Sequence, residues 1–106
     1  MDNRVYGYAR VSTREQNEDR QLEALKVFGV PEQNIIIDKA SGKDTEREGY
    51  QYLKRQILRN GDTLVIKELD RLSRNKTDIK RELEEFKEMG IRVKILDIPT
   101  TLTEFP

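Results

Sequence analysis

Four short apolar runs, at residues 5–9, 35–38, 63–66 and 92–96, constrain this chain more than any other feature, because each is separated from the next by a stretch of helical periodicity. Leu22, Leu25 and Phe28 fall three residues apart. Tyr50, Leu53 and Ile57, and then Ile79, Leu83 and Phe86, keep the same three-or-four spacing that lines one face of a helix. Strands joined by helices cannot fold back as hairpins; they cross over and pair in parallel. The expectation is an α/β fold with a mostly parallel central sheet of about four strands and flanking helices. Gly29, Gly61 and Gly90 each follow a helical pattern at the place of a C-terminal glycine cap. Thr13 and Gln16 have the spacing of a capping box opening the first helix, and Ser73 or Asn75 stands where a cap for the third belongs. Tyr6 and Tyr8 alternate on the first run and read as packing residues.

A chain of 106 residues has room for one modest core, so one domain is expected, over residues 1–98. Pro99 and Pro106, with three threonines between them, oppose both helix and strand and mark residues 99–106 as an exposed extension. Twenty basic side chains balance twenty acidic ones, so net charge argues for no partner. Their distribution is uneven: residues 39–81 hold twelve Lys or Arg against seven Asp or Glu. Solvated helix faces and an anionic partner both fit that excess. The chain has no cysteine and no histidine, which excludes disulfides, thiolate or imidazole metal sites and a Ser-His-Asp triad. No apolar stretch approaches the roughly 20 residues of a membrane span, and the N-terminus does not read as a signal peptide, so a soluble cytoplasmic protein is expected.

Open parallel α/β sheets bind ligands beyond the carboxyl ends of their strands. The segments that follow the first three strands here are "ARVSTREQ", "DKASGKDTER" and "KELDRLSRN". Together they hold Arg10, Ser12, Gln16, Asp38, Ser41, Arg47, Asp70, Arg71 and Arg74, with Lys39, Lys43 and Lys67 nearby. Four arginines on three loops suit phosphate, since a guanidinium matches its geometry and stabilises charge developing on its oxygens without a metal. Ser12 in such a site is a candidate nucleophile whose proton goes to a carboxylate or guanidinium. Local sequence also admits plainer readings. Ser12 could cap a helix, "DRLSRN" could be a surface turn, and Asp38 and Asp70 could simply pair with arginines. "ASGK" lacks the spacing of a phosphate-binding P-loop.

The segments "YGYARVSTREQNEDRQLEAL", "DKASGKDTEREGY" and "LVIKELDRLSRN" resemble, in order and spacing, the signature segments of the serine recombinases of the resolvase/invertase group. The resemblance runs from about Val5 to Ile98 and implies a resolvase-like catalytic domain. It implies a site-specific DNA recombinase that cleaves and rejoins DNA through a 5′-phosphoserine link, with no nucleotide cofactor and no metal. Ser12 then resembles the nucleophile, and Arg10, Arg71 and Arg74 the arginines that bind the scissile phosphate. Arg47 resembles a further phosphate contact, Asp70 the acid that helps protonate the leaving 3′-oxygen, and Gln16 and Gln21 supporting polar residues. Asp38 with Ser41 resembles the loop that completes the pocket.

In that family a dimerisation helix and a DNA-binding domain follow the catalytic domain. The chain is therefore expected to be the catalytic part alone, inactive in isolation, whose full-length form binds a specific DNA site as a homodimer and assembles a tetramer. The alternatives are a non-catalytic resolvase-like interaction or regulatory module and, from a different class, a nucleotide-binding α/β domain. A missing glycine-rich phosphate loop weighs against the last.

Overall fold

The computed structural model describes residues 4–11, 18–39, 48–69, 72 and 75–102. Four strands, β1 (Val5–Val11), β2 (Ile35–Lys39), β3 (Thr63–Ile66) and β4 (Arg92–Ile95), alternate with helices α1 (Glu18–Phe28), α2 (Glu48–Tyr52) and α3 (Lys76–Glu88). The strands lie in the order β2-β1-β3-β4, and every pairing is parallel. The four apolar runs thus sit where periodicity predicts, with β1 and β2 extending past the predicted ends and β4 stopping one residue earlier.

Strand alternation divides the side chains between two faces of the sheet. Tyr6, Tyr8, Leu64, Ile66 and Ile95 join Tyr50, Leu53, Leu72 and Phe86 in one core cluster, which α2 and α3 cover. Ala9 and Val65 face the other way and pack with Leu25 of α1 and Val30. The helix crosses β1 closely: a Cβ on Gly7 would stand 3.2 Å from both Leu25 Cδ1 and Val30 Cγ1. Because α1 and α3 lie on opposite faces, the chain leaves the neighbouring strands β1 and β3 in opposite directions. Such a reversal opens a crevice at the carboxyl edge of the sheet.

Local chemistry explains the ends of the elements. Asn75 caps α3, its side-chain oxygen accepting from the N–H groups of Thr77 (2.8 Å) and Asp78 (3.4 Å). Gly29 and Gly90 follow α1 and α3 with φ of 123° and 77°, the backbone that a terminating glycine supplies, whereas Gly61, expected as a cap, has φ of 95° within a turn in which the Asp62 N–H donates to the Arg59 carbonyl at 2.9 Å; the second helix has already ended in the extended backbone of Leu58. At Gly90 the positive φ alone disfavours a side chain, whose Cβ would also have to displace the exposed Asn60 amide, 2.4 Å away. At the amino edge, buried Asp62 accepts from the N–H groups of Arg4 and Arg59, both at 2.9 Å, and ties the start of β1 to the turn before β3.

Two segments differ from the sequence expectation. The second helix is regular only to Tyr52; Leu53–Ile57 forms a π-helical turn closed by the Leu58 N–H donating to the Leu53 carbonyl at 2.9 Å. Pro99–Leu102, expected within an exposed extension, makes a 3-10 turn. Proline at its first position costs no hydrogen bond there. The Thr101 hydroxyl binds the turn back to β4, accepting from the Ile95 N–H at 2.8 Å and donating to the Ile98 carbonyl at 2.7 Å.

Candidate active site

The carboxyl edge of the sheet is assembled by strand register. Arg10 of β1 lies directly opposite Asp38 of β2, and Tyr8 opposite Ile66 of β3. Residues 10 and 38, far apart in sequence, are thereby adjacent at the mouth of the crevice, both half-buried. Ser12 follows Val11, the last residue of β1. Ser12, Gln16, Ser41, Arg47, Asp70, Arg71 and Arg74 lie outside the described residues, as does the expected Thr13–Gln16 capping box.

Asp38 has a definite structural employment. Its Oδ1 accepts from the Gly49 N–H at 2.8 Å, and its Oδ2 accepts from the Tyr50 N–H at 2.9 Å and from the Tyr8 hydroxyl at 2.7 Å. Three donors converge on one carboxylate. Two of them are N–H groups from the first turn of α2, which have no partner within a helix, so Asp38 performs from the neighbouring strand the task of an N-cap. The fit leaves no room for a side chain at residue 49, where a Cβ would stand 2.6 Å from Asp38 Oδ1 and 2.8 Å from Ile36 Cγ2. Among the described residues, Asp38 is held by these three contacts and not by an arginine, the plain reading of it.

Gln21 sits on α1 beneath the end of β1, with only 5% of its surface exposed. Its Nε2 donates to the Arg10 carbonyl at 3.3 Å, which ties the strand end to the helix. Among the described residues, Gln21 Oε1 is a buried side-chain oxygen without a hydrogen-bond donor. Beyond β3, Leu72 is fully buried in the core and its N–H donates to the Leu69 carbonyl at 2.9 Å. Leu72 is the described residue of the stretch that carries Asp70, Arg71 and Arg74 in the sequence. Lys67, counted among the nearby cations, pairs with Asp97 at 3.1 Å.

The sequence reading missed the polar role of Tyr8. Burial of both tyrosines matches the packing expectation, Tyr6 at 7% and Tyr8 at 0% exposed, but Tyr8 also delivers its hydroxyl to Asp38. No local signal marks this contact, which depends on β1 and β2 being neighbours. The partnership of Gly49 with Asp38 was hidden too, since it depends on how α2 packs back on β2.

These features define a doubly wound parallel α/β domain with an arginine and an anchored carboxylate at its carboxyl edge. The family model described as Resolvase, N terminal domain matches residues 5–105. The chain belongs to this family. It is 44% identical over 94 residues to the Transposon Tn3 resolvase of Escherichia coli, a match covering 89% of this chain and 50% of that one. It is 42% identical to the R46 site-specific recombinase of Escherichia coli, over 89% of this chain and 49% of that one. The chain thus spans about half the length of the curated relatives it matches. The crystal structure of the first ORF in transposon ISC1904 from Sulfolobus solfataricus P2 shares the fold, with a TM-score of 0.70 at 21% identity, covering 97% of this chain and 69% of that one.

Proposed function

We propose that this chain is the catalytic domain of a serine site-specific DNA recombinase. The observation that supports this most directly is the strand register that sets Arg10 of β1 opposite Asp38 of β2 at the carboxyl edge, two residues before Ser12, in a chain of the resolvase N-terminal family. In this reading Ser12 Oγ attacks the scissile phosphorus and gives its proton to a carboxylate or guanidinium of the site, the bond from phosphorus to the 3′-oxygen breaks, and the DNA 5′ end is held as a phosphoserine ester. The 3′-oxygen leaves as a hydroxyl, taking a proton with help from Asp70. A 3′-hydroxyl from the exchanged strand then attacks the ester, and Ser12 recovers its proton. The bond energy is kept throughout, so no nucleotide is consumed.

Arg10, Arg71, Arg74 and Arg47 supply the electrostatic part, holding the phosphate and offsetting the charge that builds on its oxygens. Asp38 supports them through α2, whose first residue directly follows Arg47 in the sequence. Gln21 supports Arg10 through its carbonyl, and Gln16 and Ser41 line the pocket. The protein acts on DNA in the cytoplasm as a dimer that pairs into a tetramer; among the described residues no helix is long and apolar enough to cross a membrane.

The test is cleavage of recombination-site DNA by the protein expressed from its full native reading frame. Arg71→Ala is expected to reduce the cleavage rate about 10²- to 10³-fold, the usual effect of removing one donor to a developing anion. Unchanged cleavage in Arg71→Ala and Arg10→Ala together would remove the proposed chemistry.

A further inference from the structure

A second cluster of buried polar groups lies where α2 meets α3, and the chemistry above does not account for it. Lys54, only 9% exposed, places its ammonium 3.0 and 3.1 Å from the two carboxylate oxygens of Glu82 and 2.8 Å from Glu85 Oε2. The same ammonium lies 5.5 Å from the centre of the Phe86 ring. Tyr50 is fully buried and donates its hydroxyl to Glu82 Oε1. Its ring stands edge-on to Tyr8 at 5.2 Å and to Phe86 at 6.2 Å.

Tyr50 therefore belongs to two clusters at once. Its backbone N–H is held by Asp38 at the carboxyl edge, while its side chain is held by Glu82 on α3. Helix α2 is regular for only five residues before the π-helical turn begins. A helix that short does not sustain itself, so its position is imposed by what it touches. Two clamps do this, one at each end of the Tyr50 residue. The hydrogen bond from Lys54 holds the Glu85 carboxyl below the ordinary glutamate range, as expected for a carboxylate tied into the same knot.

We propose that Tyr50, backed by Glu82 and Lys54, is a positioning unit that keeps the Gly49 and Tyr50 N–H groups on Asp38 and so fixes where the chain bearing Arg47 joins the fold. Its consequence for catalysis rests on the recombinase reading given above. A buried ammonium that loses one of its carboxylates is left undercompensated, which makes the knot stiff. Stiffness at this point is what a phosphate-contacting arginine one residue before α2 requires.

Amide hydrogen exchange on the ¹⁵N-labelled 106-residue chain tests the anchor without reference to DNA. In Glu82→Gln, exchange at Gly49 and Tyr50 is expected to accelerate about tenfold, with Leu64 and Val65 of the central strand β3 changing far less. Acceleration of all four amides in step would make the knot an ordinary stabilising contact and overturn the proposal. Should Glu82→Gln fail to fold, Tyr50→Phe, which deletes one hydroxyl and keeps the ring, carries the same comparison. In the full native reading frame, Glu82→Gln is expected to slow single-turnover cleavage about tenfold at saturating DNA with affinity unchanged. Loosened amides with an unchanged cleavage rate would refute the positioning role. Absence of cleavage in the unsubstituted protein would count against the recombinase reading, and the exchange result would then decide the anchor alone.

Discussion

Gly49 is the residue at which sequence, packing and site meet most tightly. Its N–H donates from α2 to Asp38 Oδ1, and the space its missing side chain leaves is filled by Asp38 and Ile36. Moving Asp38 aside would break the bonds it makes, so the crowding has no inexpensive relief. Gly49→Ala is expected to destabilise the domain by about 1–3 kcal/mol, the usual cost of overpacking, as read by urea denaturation. Tyr8→Phe keeps the buried ring and removes one donor from the same carboxylate. A loss of roughly 1.5–3 kcal/mol is expected, the range for a hydrogen bond to a charged group. A Tyr8→Phe variant as stable as the parent would show that the Tyr8 hydroxyl contributes nothing to the anchor.

At the scale of elements, α3 carries two separable contributions. Asn75→Ala removes an exposed cap and is expected to cost about 1 kcal/mol. Phe86→Ala empties the middle of the larger core cluster and is expected to cost about 3–5 kcal/mol. The knot between α2 and α3 adds a pH dependence. Lys54 holds the Glu85 carboxyl below its ordinary value of 4.5, so the folded state binds that proton less readily than the unfolded state. The stabilisation is complete above the unfolded value and is lost as pH falls through the folded one. Denaturation of the parent and Glu85→Gln at stepped pH checks this: the difference between them is expected to shrink as the pH drops below about 4.5. The strands and helices were legible in the sequence because each repeats an apolar pattern over several residues. Asn75 and the terminating glycines Gly29 and Gly90 were legible because their chemistry is local, whereas Gly61, read as a cap by the same rule, belongs to the turn before β3. The π-helical turn at Leu53–Ile57 was not, since Tyr50, Leu53 and Ile57 fit an ordinary helix equally well. The Asp38 anchor was not either, because Tyr8 reaches it only through the β1–β2 pairing and the Gly49 and Tyr50 N–H groups only through the packing of α2 on β2.

At the scale of the whole molecule, topology converts scattered residues into a site. The order β2-β1-β3-β4 sets β1 at the centre of a switch, with β2 bringing Asp38 beside Arg10 and β3 leading to the segment that holds the buried Leu72. Sequence alone named Arg10, Gln21 and Asp38 as site residues, and register brings the first and last together while Gln21 braces Arg10 from α1. What sequence could not supply is the division of labour among them, because a carboxylate that anchors a helix and one that meets substrate read alike in a linear chain. In the recombinase reading proposed above, Ser12 Oγ is the atom that takes the DNA. The most direct test quenches the reaction of the protein, in its full native reading frame, with recombination-site DNA and identifies by mass spectrometry the peptide that carries a nucleotide. The expected product is a 5′-phosphate ester on Ser12 that disappears in Ser12→Ala; an adduct on another residue, or one that persists in Ser12→Ala, would contradict the assignment of Ser12 as nucleophile.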